Sequence, residues 1–152
     1  MKITDVQNDF ELYKFAIDLI VDQWCDGDDD IRLKKYNEFN NSPNRNRQCY
    51  VLSSGDCPIG CFVICNDDIK GYPQYNPNLA CVCVSPKYRG KGLSRVLMNY
   101  AVSTIKKLPT DKLYLKTTLE NYYDKFGFEF VKNIEVNNNI EKLYVYDIQK
   151  NR

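Results

Sequence analysis

The sequence predicts a mixed α+β fold, and three observations carry that prediction. Apolar residues recur at helical spacing in Asp9 to Trp24 and again from Leu93 onward. Short β-rich runs bounded by Gly, Pro, Asn and Ser lie between and after them. A run of strand length, Leu79 to Val84, passes through a cationic glycine turn directly into the second of these helices. The 152 residues show no shift in composition, so residues 1–152 are expected to form a single domain.

Met1 to Val6 is a short strand candidate, followed by a first helix that carries Phe10, Tyr13, Phe15, Ile17, Ile20, Val21 and Trp24 at mostly helical spacing. Asp28-Asp29-Asp30 caps a second helix near Ile31 to Phe39, because carboxylates are stabilising beside the positive end of the helix dipole. Asn40 to Asn46 reads as a loop. Gln48 to Ser53 and Ile59 to Cys65 are strands joined by a hairpin turn over Ser54 to Pro58, and Asn66 to Pro77 breaks the pattern.

Leu79 to Val84 is the next strand, ended by Ser85-Pro86 because proline lacks an N–H and restricts its predecessor. Gly90 and Gly92 open backbone conformations closed to other residues, while Arg89 and Lys91 put two positive charges on the same turn. Leu93, Val96, Leu97, Ala101, Ile105 and Leu108 then form one face of a helix with Lys106-Lys107 in its last turn. Unpaired N–H groups and the positive end of that helix face whatever lies before residues 90–94, which suits an anion with several oxygens. The plainer alternative is a solvated basic turn. Neither G-x-G-x-x-G nor G-x-x-x-x-G-K-[ST] is present.

Lys112 to Thr117 is a further strand, reached by a crossover through the long helix. A short helical piece leads to Gly127-Phe128. Phe128 to Val136 and Ile140 to Ile148 are late strands around Asn137-Asn138-Asn139, a tripeptide suited to positive φ. The last of these has the alternation of an edge strand that could pair across a homodimer, so monomer and homodimer both stay open.

Composition narrows function. With 21 basic and 20 acidic residues the net charge is +1, which gives no reason to expect nucleic acid or an anionic membrane as partner. No run of about 18 apolar residues and no secretory leader pattern occurs, so a cytoplasmic location is expected. The chain has seven cysteines, no histidine and no C-x-x-C, which argues against a metal site and against Ser-His-Asp or Cys-His catalysis. Cys61, Cys65, Cys81 and Cys83 read as reduced core thiols.

Val82-Cys83-Val84-Ser85-Pro86-Lys87-Tyr88-Arg89-Gly90-Lys91-Gly92-Leu93-Ser94 resembles the acetyl-CoA signature of the GNAT superfamily of N-acetyltransferases, with its Arg/Gln-x-x-Gly-x-Gly/Ala core on Arg89, Gly92 and Ser94. Serine at the last position departs from the strict pattern. Asn76 to Val84 resembles the fourth strand of a small GNAT subgroup, and Tyr122-Tyr123-Asp124-Lys125-Phe126-Gly127-Phe128 resembles the superfamily's Tyr-x-Lys-x-Gly-Phe motif. The resemblance implies a twisted, mixed but mostly antiparallel sheet flanked by helices, and the element order β-α-α-β-β-β-α-β-α-β-β agrees with it.

The resemblance further implies that acetyl-CoA is held by the backbone of Val82, Cys83 and Val84 and by Arg89, Gly90, Lys91, Gly92, Leu93 and Ser94. Tyr123, with Tyr122 as second choice, matches the tyrosine that protonates the departing thiolate; a phenol keeps its proton at neutral pH. The segment from Leu115 to Tyr123 lacks the family's usual Asn-x-x-Ala spacing.

The segment joining the first two helices borders the acceptor site in this fold. Trp24, Asp26 and Asp28 to Asp30 could therefore recognise a cationic amine, or the aspartates merely cap a helix. Asn78 matches the position of a catalytic glutamate and cannot take a proton; Asp67, Asp68 and Glu120 are possible substitutes. The expected reaction is direct acetyl transfer to a small amine or a peptide N-terminus in a ternary complex. The competing expectation is a non-catalytic acyl-CoA-binding or sensing module; a toxin acting on charged transfer RNA would need a basic surface that this composition lacks.

Overall fold

The computed structural model describes residues 1–41 and 47–152. Seven strands and three α-helices follow one another as β1 (Lys2–Asp5), α1 (Phe10–Trp24), α2 (Asp29–Asn41), β2 (Arg47–Ser54), β3 (Cys57–Cys65), β4 (Asn78–Val84), α3 (Leu93–Ile105), β5 (Lys112–Thr117), β6 (Glu129–Val136) and β7 (Asn139–Asp147). The hydrogen-bonded strand order is β1-β2-β3-β4-β5-β7-β6. The β1–β2, β5–β7 and β6–β7 pairs are antiparallel, and β4 runs parallel to β5 through Asn78 opposite Tyr114. The crossover through α3 is the connection that a parallel pair requires.

The chain divides into two compact units, the first comprising Met1–Val63 and Cys81–Leu97, the second Ile64–Ala80 and Met98–Arg152. In the first, α1 buries Ala16, Ile17, Leu19, Ile20 and Val21, the apolar face that its spacing predicts. Asp9 caps this helix by accepting from the Leu12 N–H at 3.0 Å. Asp28 does the same for α2, accepting from the N–H groups of Asp30 and Ile31 at 2.9 and 3.1 Å.

Packing of α2 on α1 depends on one cation. Arg32 donates to Asp18 at 2.8 Å, to Asp22 at 2.6 Å and to Asp29 at 3.3 Å, and Asp18 also accepts from the Tyr36 hydroxyl. Phe10, Tyr13 and Phe39 add an aromatic cluster, with ring centroids 5.0 to 5.3 Å apart for Phe39 and its two neighbours.

In the second unit, β7 lies between β5 and β6, so the expectation of a final edge strand is corrected. The alternation over Ile140 to Ile148 reports which side chains face the core and carries no information on lateral neighbours. The unpaired edge is β6, most of whose residues are exposed and which carries a register shift between Phe130 and Lys132.

Several boundaries also move. The second helix begins at Asp29 and runs to Asn41, so Asn40 and Asn41 are helical and not part of the expected Asn40–Asn46 loop, and residues 42–46 lie outside the described residues. Both hairpin turns tighten to two residues, Gly55-Asp56 and Asn137-Asn138, the latter pair at φ +51° and +66°. Helix α3 stops at Ile105, which puts Lys106 and Lys107 beyond it. Pro109 disfavours helical geometry at Leu108, and the chain closes in i to i+3 bonds from Lys107 to Thr104 and from Leu108 to Ile105. The expected last helix is a single 3₁₀ turn, Tyr123–Phe126, confined between Asn121 at φ +56° and Gly127 at φ +93°.

Candidate active site

Strand β4 builds the site from its far end. Cys81 takes φ +53°, a region costly for a non-glycine residue, and its carbonyl accepts from the Cys61 thiol at 3.6 Å. Beyond it, Val82, Cys83 and Val84 run to Ser85, whose N–H donates to the Ile59 carbonyl at 2.7 Å. Gly60 lies against this segment with no room for a side chain: a Cβ there would stand 2.6 Å from the Cys83 carbonyl oxygen.

A 3₁₀ turn over Pro86–Tyr88 carries the chain off the strand. Gly90 and Gly92 then take φ +76° and +73°, and nothing lies within 4 Å of where their side chains would be. The main chain is thus bare on its open side just before α3 begins at Leu93. Gln23, Trp24, Val82, Cys83, Val84, Tyr88, Arg89, Gly90, Gly92, Leu93 and Ser94 together line a cleft of about 340 Å³. Of the candidates drawn from the sequence, the cleft unites Trp24 with every proposed donor residue except Lys91. The Lys91 ammonium lies 5.8 Å from the centre of the Tyr88 ring, beside Lys87 at 5.3 Å.

Arg89 does not reach out as a free cation. Its Nε donates to the Val84 carbonyl at 3.0 Å, and its Nη2 donates to Gln23 Oε1 at 2.9 Å and lies 3.8 Å from Cys83 Sγ. Burial pushes the Cys83 thiol up, partly offset by the guanidinium, so the sulfur beside the cleft stays protonated.

Gln23 and Tyr88 were not singled out in the sequence. Tyr88 sits inside the glycine motif and was readable there as a ring beside two lysines; Gln23 is one residue from Trp24 and had no signal beyond that adjacency.

The aspartates separate by role. Asp28 caps α2 and Asp29 pairs with Arg32, the plainer of the two readings for both. Asp26 is exposed at φ +53° in the turn after α1 and is not among the cleft-lining residues.

Asn78 and Tyr123 belong to the second unit. Asn78 is fully buried with both ends of its amide engaged: Nδ2 donates to the Tyr75 carbonyl at 2.5 Å, and Oδ1 accepts from the Asp68 N–H at 3.0 Å. Nearby in that unit, Lys116 pairs with Glu141 at 3.5 Å and lies 4.0 Å from Asp68. Tyr123 opens the 3₁₀ turn among aromatic rings, with centroids 4.9 Å from Tyr122, 5.8 Å from Phe128 and 6.3 Å from Tyr144. Burial, with the neighbouring Tyr122, pushes its phenol up to about 12. Among the described residues, no group of three or more Cys, Asp or Glu is arranged to hold a metal ion.

A bare glycine turn between a strand end and a helix N-terminus can accept a phosphate or another anion with several oxygens. The acetyltransferase (GNAT) domain model matches residues 45–130, more than half of the chain, and the chain belongs to that family. It is a GNAT acetyltransferase, and acetyl-CoA is the family's donor.

Solved structures share the fold at low sequence identity. An aminoglycoside 6'-acetyltransferase type Ii is 20% identical with TM-score 0.69, and the alignment covers 97% of each chain. An aminoglycoside 6'-N-acetyltransferase complexed with coenzyme A is 17% identical with TM-score 0.70, again over 97% of each. A spermidine N-acetyltransferase variant from Vibrio cholerae is 16% identical with TM-score 0.71, over 99% of this chain and 96% of that one. Among curated proteins none matches in sequence.

Proposed function

We propose that this chain transfers the acetyl group of acetyl-CoA to a primary amine, on a small molecule or a peptide N-terminus, by direct attack in a ternary complex. The observation that carries this reading is the turn at Gly90 and Gly92, two positive-φ glycines with open space before them at the start of α3. Backbone N–H groups there suit a pyrophosphate, and the residues present fit that group: unobstructed main chain and a helix N-terminus, with the ammonium groups of Lys87 and Lys91 near the Tyr88 ring that lines the same cleft.

In this reading Val82, Cys83 and Val84 offer backbone groups to the pantetheine arm as a neighbouring strand would. Residues 90–94 hold the diphosphate, and Arg89 braces the turn. Acetyl-CoA, when bound, supplies a thioester-activated acetyl group. Tyr123 keeps its proton throughout the physiological range and can give it to a departing thiolate. Trp24, half exposed at the cleft wall, presents an aromatic face to the acceptor side, with Asp26 and Asn78 as further acceptor-site candidates. Asn78 enters that role through the loop that it holds, since its own amide is fully engaged.

The chain works as one domain in the cytoplasm, without nucleic acid or membrane as partner. If it dimerises by strand pairing, the edge strands available are β1 and β6. No described helix is long and apolar enough to cross a membrane.

The test is thiol release from acetyl-CoA by the purified chain across a panel of amines that includes spermidine, an aminoglycoside and an N-terminally free peptide. Turnover dependent on one amine class supports the reading. Tight coenzyme A binding with no turnover of any amine would instead establish a sensing module, and absence of coenzyme A binding would refute both.

A further inference from the structure

We propose that Gln23 is a positioning residue for the donor site, acting through Arg89. Gln23 stands in the last turn of α1, whose final turn carries no basic residue of its own. Sixty-six positions further along the chain, Arg89 brings a guanidinium to Gln23, with Oε1 accepting from Nη2 at 2.9 Å. The same guanidinium holds the last carbonyl of β4, with Nε donating to Val84 at 3.0 Å. Arg89 is the residue immediately before Gly90, so two planar hydrogen bonds fix the entrance to the glycine turn from opposite sides.

Glycines that gain conformational freedom from lacking a Cβ do not hold a single geometry unaided. The turn has open space before it and no packed side chain to define it. Its order must come from its ends, and at the β4 end the ordering group is Arg89. Without Gln23 the guanidinium keeps the Val84 carbonyl and only the weak acceptor Cys83 Sγ at 3.8 Å for Nη2, so it is held less firmly and residues 90–94 lose part of their preorganisation for an anion. Gln23 also precedes Trp24 directly, so one bond ties the acceptor-side end of α1 to the donor turn.

This inference rests on the assignment of the cleft to the acetyl donor. Its test uses coenzyme A itself as the probe, with binding to the full chain followed by calorimetry in a double-mutant cycle over Gln23→Met and Arg89→Met. Q23M is expected to weaken coenzyme A binding about five- to tenfold, the size of one ordinary net hydrogen bond, because Gln23 acts on the ligand only through Arg89. In the R89M background the same change is expected to have no further effect, because the residue through which Gln23 acts is gone.

In kinetics, Q23M should raise the KM for acetyl-CoA and leave kcat within about twofold, the pattern of lost ground-state binding. Unchanged affinity in Q23M, or an equal loss in both backgrounds, would each overturn the inference while leaving the donor assignment standing. A wild-type chain that does not bind coenzyme A would overturn both.

Discussion

Gly60 on β3 meets Cys83 on β4 so closely that a single methyl group would stand 2.6 Å from the Cys83 carbonyl oxygen, with Val84 Cα and Leu97 Cδ2 at 3.3 Å. That approach sets the end of β4 from which the glycine turn departs. The nearest obstructing atom, the Cys83 carbonyl oxygen, is backbone and cannot swing aside as a flexible side chain can. Gly60→Ala should therefore displace β4 and destabilise the fold by about 1–3 kcal/mol. A denaturant melt measures the loss, and coenzyme A affinity should fall with it; a variant as stable and as tight as the parent would show that β4 yields freely.

Asn78 makes a second, separate prediction. Its buried amide satisfies the Asp68 N–H and the Tyr75 carbonyl, and so holds the loop over 66–77 to the start of β4. Replacement by Ala leaves two half-buried backbone groups without this partner and should cost about 1–3 kcal/mol. Asn78→Asp keeps the acceptor and loses the donor, so its loss at neutral pH should be no smaller. Thermal unfolding of the two variants checks both values.

The helices, the parallel crossover and the glycine turn were legible because each is written in neighbouring residues: 3.6-residue periodicity, β-rich runs, and Arg-Gly-Lys-Gly between a strand and a helix. Lateral order was not. Nothing in Ile140 to Ile148 reveals that β7 is flanked on both sides, because alternation encodes the face and not the neighbour. The partners of Arg89 were hidden for the same reason. A bond spanning 66 positions leaves no local pattern, so the residue that looked like a free cation is a brace, and Gln23 carried no mark of its part in it. The aspartates at 28 and 29 could be read either as caps or as a ligand site, and hydrogen-bond geometry alone separates the two.

Arg32 stabilises the α1–α2 pair in a way that ordinary surface ion pairs do not. Its side chain is only 17% exposed and gathers three carboxylates, from Asp18, Asp22 and Asp29. Removal leaves Asp18 and Asp22 close together on α1 with no cation between them. Arg32→Met, which keeps the length and apolar stem, should cost about 2 kcal/mol, more than an isolated exposed pair. The loss should shrink as salt is raised, because screening weakens the remaining carboxylate repulsion. Chemical denaturation at low and high ionic strength is the measurement, and a loss independent of salt would point to packing instead.

Tyr123 makes a prediction in two variables, rate and pH. As the proposed acid, its replacement in Tyr123→Phe removes the proton without removing the ring, so kcat should fall about 10²-fold while the KM for acetyl-CoA holds. Its phenol is pushed by burial from an ordinary 10.0 to about 12. The proton is therefore retained across the working range, and kcat should show no descending limb from this group below pH 10. Stability follows the same shift. The folded state binds the proton more tightly than the unfolded chain, so this group's contribution is full below pH 10 and is lost as pH rises through 12. The phenylalanine variant has no such proton, and its stability should decline less steeply than the parent's over that window. Urea melts of both proteins at pH 9 and pH 11 compare the slopes, and parallel slopes would show that Tyr123 titrates like an exposed phenol.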